Sequence, residues 1–412
     1  MMAIKAAILG FGTVGEGVYR TIQSHEKELE TLLGKKVEVA AILIQNKQKD
    51  RNIEDNVLVT TDYNEIINLS QLDIVVDAIV GKDPAFSYLK QAIERGCHII
   101  TANKEMFAHH GKDLLALAKE HSVSVGFEAT VAGGIPIIQT LRQLLKVNRV
   151  QQIQGIVNGT SNFILTEMRE KKQSFREALK LAQEKGFAEA DPTNDVEGFD
   201  AFYKLMILSR VAFGAEPDWN EVERVGITSI TSELIEVANE LDFRFKHVVS
   251  IHKDGDRLIG SVRPVLIGNS HPFFHVEGVE NAVNVFSDIV GRITLQGPGA
   301  GMFPTASAVI EDLVYAGNRN QQEKHLDKPV PDAFPLTNGS LHDFYLLNGV
   351  NKRDLSASIS ITEQVADQTF IVETVHEEIL RLIQENSSIR YYPILDGTQT
   401  LLNRKERKTV TV

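Results

Sequence analysis

Asp200 and Lys204 stand four residues apart, hence on one face of a helix, among Phe199, Phe202, Leu205, Met206, Ile207 and Leu208. Such a helix is apolar almost all round and reads as buried. A buried carboxylate and ammonium are costly unless something uses them. Glu189, Asp195 and Glu197 arrive just upstream. Carboxylates gathered around one lysine could bind an ammonium-bearing substrate and set a proton donor. The plain alternative is an exposed salt bridge of small value.

Other segments could hold or act on ligands. Gly10-x-Gly12-x-x-Gly15 follows an apolar run and opens a helical pattern, the context in which such glycines cradle a dinucleotide pyrophosphate at a helix N-terminus. The second strand ends at Gln45 without an acidic residue for the adenosine ribose, and Lys47 and Lys49 follow. Those lysines either favour the extra phosphate of NADP or are solvated loop charges. Lys104, in Thr101-Ala-Asn103-Lys104-Glu105, sits just past a strand end, where it could reach substrate or nicotinamide or simply start a helix. The run from Glu128 to Pro136 leaves a strand through a glycine pair. It is either a plain turn or a set of carbonyls and one carboxylate for a hard cation. Asn158, Gly159, Thr160, Ser161 and Asn162 form a cap-rich turn whose N–H groups suit a carboxylate, although a cap alone needs only one of them. Gly297-Pro-Gly299-Ala-Gly301 precedes a helix with Pro304 in its first turn and is either a loop closing over a cofactor or a structural turn.

The elements that must position these residues alternate at first. Apolar runs at 4–9, 37–44, 73–80, 98–101 and 122–127 read as strands, with helices at 15–33, 84–95 and 111–121 between them. This pattern predicts a doubly wound parallel sheet with helices on both faces. From about Gly134 the texture changes to longer helices (137–145, 163–169, 174–185, 199–211) and scattered strands (153–157, 248–252, 258–265), a second α+β domain. A polar segment with Pro329, Pro331 and Pro335 reads as a linker. Strands at 343–347, 356–362, 369–374 and 389–395 and a helix at 375–384 then make a small module.

The 412 residues are 43% hydrophobic and 24% charged, enough for more than one core. The net charge of −12 argues against a nucleic-acid partner, the one basic cluster being Arg404 to Lys408. No apolar run is long enough to span a membrane. The first strand begins at once, leaving no room for a secretion signal, and the single Cys97 excludes an internal disulfide framework or a multi-cysteine zinc site. A cytoplasmic location is expected.

Taken in order, the motifs from the N-terminus to about Gly317 closely resemble the homoserine dehydrogenase family: Gly-Phe-Gly-Thr-Val-Gly, Thr-Ala-Asn-Lys-Glu, Glu-Ala-Thr-Val-Ala-Gly-Gly-Ile-Pro, Asn-Gly-Thr-Ser-Asn, Phe-Ala-Glu-Ala-Asp-Pro and Gly-Pro-Gly-Ala-Gly. The resemblance implies reversible reduction of L-aspartate 4-semialdehyde to L-homoserine with NADP or NAD, in the threonine and methionine branch of amino-acid biosynthesis. It implies a Rossmann-type domain at 1–130 plus about 302–320, a substrate-binding and dimerisation domain at 131–301, a linker at 321–340 and an ACT-like module at 341–412. Gly10, Phe11, Gly12, Thr13, Val14 and Gly15, with Lys104, Gly186 and Gly301, match the cofactor site. Glu189, Asp195, Asp200, Lys204, Asn158, Gly159 and Thr160 match the substrate site, with Lys204 the proton donor and Lys104, Asp200 and Glu189 beside it. Glu128, Val131, Gly133 and Ile135 match a sodium site built mostly of carbonyls.

Two departures stand out. Gln45 occupies a position where many relatives carry Arg, and almost no helix separates the first two strands of the ACT-like module. A homodimer or higher homo-oligomer is expected. The competing readings are another amino-acid-pathway dehydrogenase and a non-catalytic sensor of nucleotide and amino acid. The carboxylates before Lys204 favour an ammonium-bearing substrate over a simple hydroxy acid, and the presence of both lysines argues against a sensor.

Overall fold

The computed structural model describes residues 3–46, 51–318 and 343–396, together with Leu401. The expected linker at 321–340, Lys47, Lys49 and the basic cluster from Arg404 to Lys408 lie outside the described residues. Packing divides the chain into two units. The first runs to Arg149 and adds Tyr203–Glu216 and a stretch from Leu295 that holds the helix Met302–Gly317. The second takes Val150–Phe202, Pro217–Thr294 and the described C-terminal residues.

The first unit is built on six strands: β1 (Ile4–Leu9), β2 (Val37–Leu43), β3 (Leu58–Thr60), β4 (Ile74–Asp77), β5 (His98–Thr101) and β6 (Val125–Gly126). They are all parallel, in the order β3-β2-β1-β4-β5-β6. β1, β4 and β5 are buried nearly throughout because helices cover both faces of the sheet. Ile8, Ile42, Val76 and Ile100 pack with Val309 and Leu313 of the helix Met302–Gly317. The strand order reverses between β1 and β4, which puts a crevice at their carboxyl ends, and Gly10 leaves β1 there.

Some elements differ from expectation. The helix expected at 15–33 is two, Thr13–Ser24 and Glu26–Leu33, because His25 leaves helical dihedrals (φ −115°, ψ 27°). The helix expected at 111–121 starts seven residues earlier, as Lys104–Glu120, because the Asn103 side chain accepts the Met106 N–H and caps it. Gly111 is therefore mid-helix. The stretch 137–145 is one short turn, Ile137–Gln139, continued as a π-helical turn at Thr140–Leu144.

The second unit contributes β7 (Val150–Ile156), β8 (Glu223–Arg224), β9 (Phe243–Asp254), β10 (Arg257–Gly268), β11 (Glu280–Ser287) and β12 (Gly291–Pro298), whose last residues pass into the first unit. The C-terminal module adds β13 (Asp343–Asn348), β14 (Ser360–Ala366), β15 (Thr369–Thr374) and β16 (Arg390–Leu395). The order is β12-β11-β7-β9-β10-β16-β13-β15-β14, with β8 beside β10. The helices Gly159–Lys171, Phe175–Glu184 and Ser232–Glu240 are packed through Phe163, Ile164, Ala178 and Ile235 against Phe243 and Leu266. β3, β11, β12 and the helix Ser232–Glu240 have no counterpart among the expected elements, and β14 lies four residues later than expected.

β16 pairs with β10 in parallel, Leu266 opposite Ile394 and Ile267 opposite Leu395. Arg263 of β10 donates to the hydroxyl and carbonyl oxygens of Tyr391, pairs with Glu223 and lies 3.7 Å over the Tyr391 ring. The first helix of a βαββαβ module is reduced to a single 3-10 turn, Lys352–Asp354, in keeping with the short spacing in the sequence.

Candidate active site

In the first unit the three motif glycines meet three different demands. Gly10 has φ +94°, and a Cβ there would lie 2.7 Å from the Ala78 carbonyl oxygen. A Cβ on Gly15 would lie 2.0 Å from the Gly10 carbonyl oxygen, so this glycine lets the helix cross close to the strand. Gly12 faces open space and is the N-cap of Thr13–Ser24 without a side-chain cap. An anion can approach the exposed backbone there. The loop before Met302–Gly317 is drawn in by further glycines. A Cβ on Gly133 would meet the Gly299 carbonyl at 2.4 Å, one on Gly17 would meet the Met302 carbonyl at 2.6 Å, and Gly134 donates its N–H to Pro298. Gly301 takes φ +120° as it caps that helix.

Lys104 is the first residue of its helix and is set by a relay from the sheet. Asp77, fully buried at the end of β4, accepts the Ile79 N–H at 3.0 Å and the Thr101 hydroxyl at 2.8 Å. Thr101 Oγ1 in turn accepts the Asn103 N–H. The Asn103 amide reaches the Gly81 carbonyl at 2.7 Å while its oxygen caps the helix. Burial pushes the Asp77 carboxyl up to about 6 against those two hydrogen bonds.

The turn from Glu128 meets Asp312 in a buried pair of carboxylates. Both Glu128 oxygens take backbone N–H groups, from Ile138 at 2.8 Å and Gln139 at 2.7 Å, so they close the start of Ile137–Gln139. Asp312 accepts the Glu128 N–H at 2.8 Å. Burial pushes Glu128 up to about 7 and Asp312 to about 6, partly offset by those hydrogen bonds. Among the described residues no group of three or more His, Cys, Asp or Glu could hold a metal ion. Two backbone hydrogen bonds commit the Glu128 side chain to the helix start. Of the carbonyls expected to suit a hard monovalent cation, on a loop turned by positive φ at Ala132 and Gly133, that of Glu128 accepts the Val131 N–H at 3.3 Å and that of Ile135 the Ile137 N–H at 2.8 Å, each keeping a second lone pair.

In the second unit the Asn158 side chain joins the candidate substrate groups. Its oxygen caps Gly159–Lys171 through the Ser161 N–H at 2.8 Å. Its amide nitrogen donates to Asp195 Oδ1 and Asp200 Oδ2, both at 2.8 Å. Ser161 donates to the Asp195 carbonyl and Thr160 to the Phe187 carbonyl. A Cβ on Gly159 would lie 2.8 Å from the Val279 carbonyl, so the turn is closely enclosed. Asp200 is buried on the helix Phe199–Phe213, and Lys204, also buried, follows one turn later on the same helix.

Asn158, Asp195 and Asp200 are therefore brought together. Glu189 stands on an exposed stretch next to Gly186, which ends Phe175–Glu184 at φ +74°. Glu197 turns elsewhere: its carboxylate accepts Thr228, and its carbonyl accepts Arg224. Sequence reasoning missed Asp77, Asp312 and Arg210. The signal for Asp77 was a lone carboxylate in an otherwise apolar strand, and for Asp312 a carboxylate beside Glu311 in an otherwise apolar helix. The arginine gave none.

Comparison with known proteins gives the family. Residues 10–128 match the model described as homoserine dehydrogenase, NAD binding domain, and 136–314 the model described as homoserine dehydrogenase. The homoserine dehydrogenase of Bacillus subtilis is 42% identical over 315 residues, covering 76% of this chain and 73% of that protein. A homoserine dehydrogenase structure from Thiobacillus denitrificans superposes with a TM-score of 0.86 at 34% identity, covering 96% of this chain and 99% of that one. A hyperthermophilic archaeal homoserine dehydrogenase solved with NADPH gives 0.66 at 30% identity, covering 76% and 98%.

The parallel sheet, its glycine turn and these relatives define an NAD(P)-dependent oxidoreductase. More narrowly, the chain belongs to the homoserine dehydrogenase family, and homoserine dehydrogenase activity is its function.

Proposed function

We propose a division of roles for the reversible reduction of L-aspartate 4-semialdehyde to L-homoserine. Asp200 and Asp195, with Glu189, bind the substrate ammonium. Asn158 holds the two aspartates at a fixed spacing and so places the aldehyde. The bound nicotinamide supplies the hydride in reduction and takes it back in oxidation. As charge develops on the carbonyl oxygen, the Lys204 ammonium stabilises it and donates a proton, leaving a neutral amine. Lys104 adds a second positive charge from its helix start. In oxidation Lys204 takes the hydroxyl proton. The observation that carries this reading is the single Asn158 amide bonded to both Asp195 and Asp200, one turn before Lys204.

The pyrophosphate contacts are assigned to the backbone from Gly10 to Gly15, with Gly186 and Gly301 approaching the cofactor. NADP is the slightly favoured cofactor. The absence of an acidic residue at the exposed Gln45 supports this, since nothing there repels a 2′-phosphate. A sodium ion on the carbonyls of Glu128, Val131, Gly133 and Ile135 would brace the turn into Ile137–Gln139. Residues 1–130 plus about 302–320 are assigned to the dinucleotide, and 131–301 to substrate and self-association as a homodimer or higher homo-oligomer. A cytoplasmic location fits the one buried cysteine, and no described helix is long and apolar enough to cross a membrane.

The test is nicotinamide absorbance with L-homoserine, supplying NADP and NAD in turn. A homoserine-dependent rise that disappears in Lys204→Ala, while dinucleotide binding persists, supports the assignment. Retained turnover in that variant removes Lys204 from the chemistry.

A further inference from the structure

We infer that Arg210 is a positioning residue that clamps the Lys104 helix to the helical segment bearing Lys204. The inference rests on the proposed reading of those lysines as the groups that meet the reacting oxygen. Arg210 lies near the end of Phe199–Phe213, six residues beyond Lys204. Its Nη1 donates to the Phe107 carbonyl at 3.1 Å and its Nη2 to the Ala108 carbonyl at 2.8 Å. Both carbonyls belong to Lys104–Glu120, three and four residues beyond Lys104. The third nitrogen, Nε, donates to Glu216 Oε1 at 2.6 Å. Glu216 follows directly after Ala215, whose carbonyl accepts the Ser209 hydroxyl at 2.7 Å, so the counter-charge is fixed to the same helix end.

The geometry suits guanidinium in particular. A planar fork can bond two successive carbonyls of another helix while its remaining edge faces a carboxylate in one fixed plane, a directionality that the single rotating nitrogen of an ammonium lacks. Helical carbonyls keep a second lone pair for such a donor. Only 15% of the side chain is exposed. The opposing helix has made room: Gly111 is a mid-helix glycine, which helix propensity disfavours. A Cβ there would lie 2.5 Å from Arg210 Nη1 and 3.0 Å from the Phe107 ring. Nearer to Lys204 the same two helices meet again, with His109 and Tyr203 ring centroids 5.7 Å apart. Tyr203 directly precedes Lys204, and Phe107 stacks on Phe127 at 4.4 Å. The two helices are thus joined on both sides of Lys204 and within five residues after Lys104, and Arg210 supplies the directional part of the joint. A displacement of about 1 Å between reacting groups can cost a hundredfold in rate.

The test compares Arg210→Met, Arg210→Lys and Gly111→Ala with Lys104→Ala and Lys204→Ala. Each is read by thermal unfolding, dinucleotide affinity, KM for homoserine and the single-turnover rate of hydride transfer. Gly111→Ala is the decisive variant. Alanine's helix propensity offsets part of the lost guanidinium bonds, so the protein should stay folded, yet its methyl displaces the guanidinium. We expect its hydride-transfer rate to fall about tenfold and that of Arg210→Met about a hundredfold, with Arg210→Lys between wild type and Arg210→Met. KM and dinucleotide affinity should stay within about twofold of wild type, as chemistry and not binding is misplaced. Wild-type hydride transfer in folded Arg210→Met and Gly111→Ala, with both lysine variants impaired, overturns the clamp alone. A loss matched by weaker binding overturns it equally. Unimpaired lysine variants overturn the lysine assignment and the clamp with it.

Discussion

The buried carboxylate of Asp77 accepts the hydroxyl of Thr101 at 2.8 Å, and Thr101 passes that anchor to Asn103, which caps the helix starting at Lys104. The carboxyl sits at about 6, above its ordinary value of 3.8, because burial outweighs its hydrogen bonds. The folded protein therefore holds this proton more tightly than the unfolded chain does. Stability from this group is complete below about pH 4 and is lost as pH rises through 6. A proton held that much more tightly is worth about 3 kcal/mol. Glu128 and Asp312 act in the same direction, up to about pH 7. Asp77→Asn should flatten, without abolishing, the fall in urea-derived stability between pH 5 and pH 7.5. An unchanged slope would remove Asp77 from this account.

The motif glycines separate folding from binding. Gly12→Ala places a methyl in open space, so the protein should melt as wild type while dinucleotide affinity falls about tenfold or more, the methyl taking the room of the pyrophosphate. Gly15→Ala meets the Gly10 carbonyl at 2.0 Å and should lower stability and binding together. Calorimetry with fluorescence titration distinguishes the two. Intact affinity in Gly12→Ala would move the pyrophosphate elsewhere.

Asn158 has a capping role and a bridging role that substitution can split. Asn158→Ser keeps a good cap but is too short to hold both Asp195 and Asp200. KM for homoserine should rise about tenfold with little change in melting temperature. Asn158→Ala should show the same KM defect and lose about 1 kcal/mol through the missing cap. Steady-state kinetics beside urea unfolding reads both; an unchanged KM in the serine variant would leave only the cap.

The sodium assignment has a pH signature. Glu128 titrates near 7 and contributes a proposed carbonyl ligand from the same residue. A bound cation favours its ionised form. Replacing choline by sodium at constant ionic strength should raise the melting temperature more at pH 8 than at pH 6. Glu128→Gln should remove the difference between the two pH values. Equal response to either cation at both pH values would argue against the site.

Local signals were legible in the sequence. The glycine turn, the Asn158 cap, the alternation of the first unit and the Asp200–Lys204 spacing all depend on residues close in the chain, and the structure contains each of those local features. What escaped depends on distance. Gly111 looked like a helix start because glycine breaks helices, yet it lies inside one to admit Arg210, ninety-nine positions away. β11 was hidden because Asn281 and Asn284 interrupt its apolar pattern although both are buried. The spread of carboxylates from Glu189 to Asp200 promised one cluster. The chain in fact sends Glu197 to Arg224 and Thr228 and leaves Glu189 exposed.

The parallel pairing of β16 with β10 makes the C-terminal module part of the same hydrogen-bonded fabric as β7, which ends two residues before Asn158. Cutting the chain after the helix Met302–Gly317 would not unhook a pendant. It would strip the cover from β10, leave its ladder groups bare and deprive Arg263 of its Tyr391 contacts. An uncovered strand edge recruits other strands. A truncated enzyme should therefore betray itself first as a sticky protein, lost to the pellet before any assay of its chemistry.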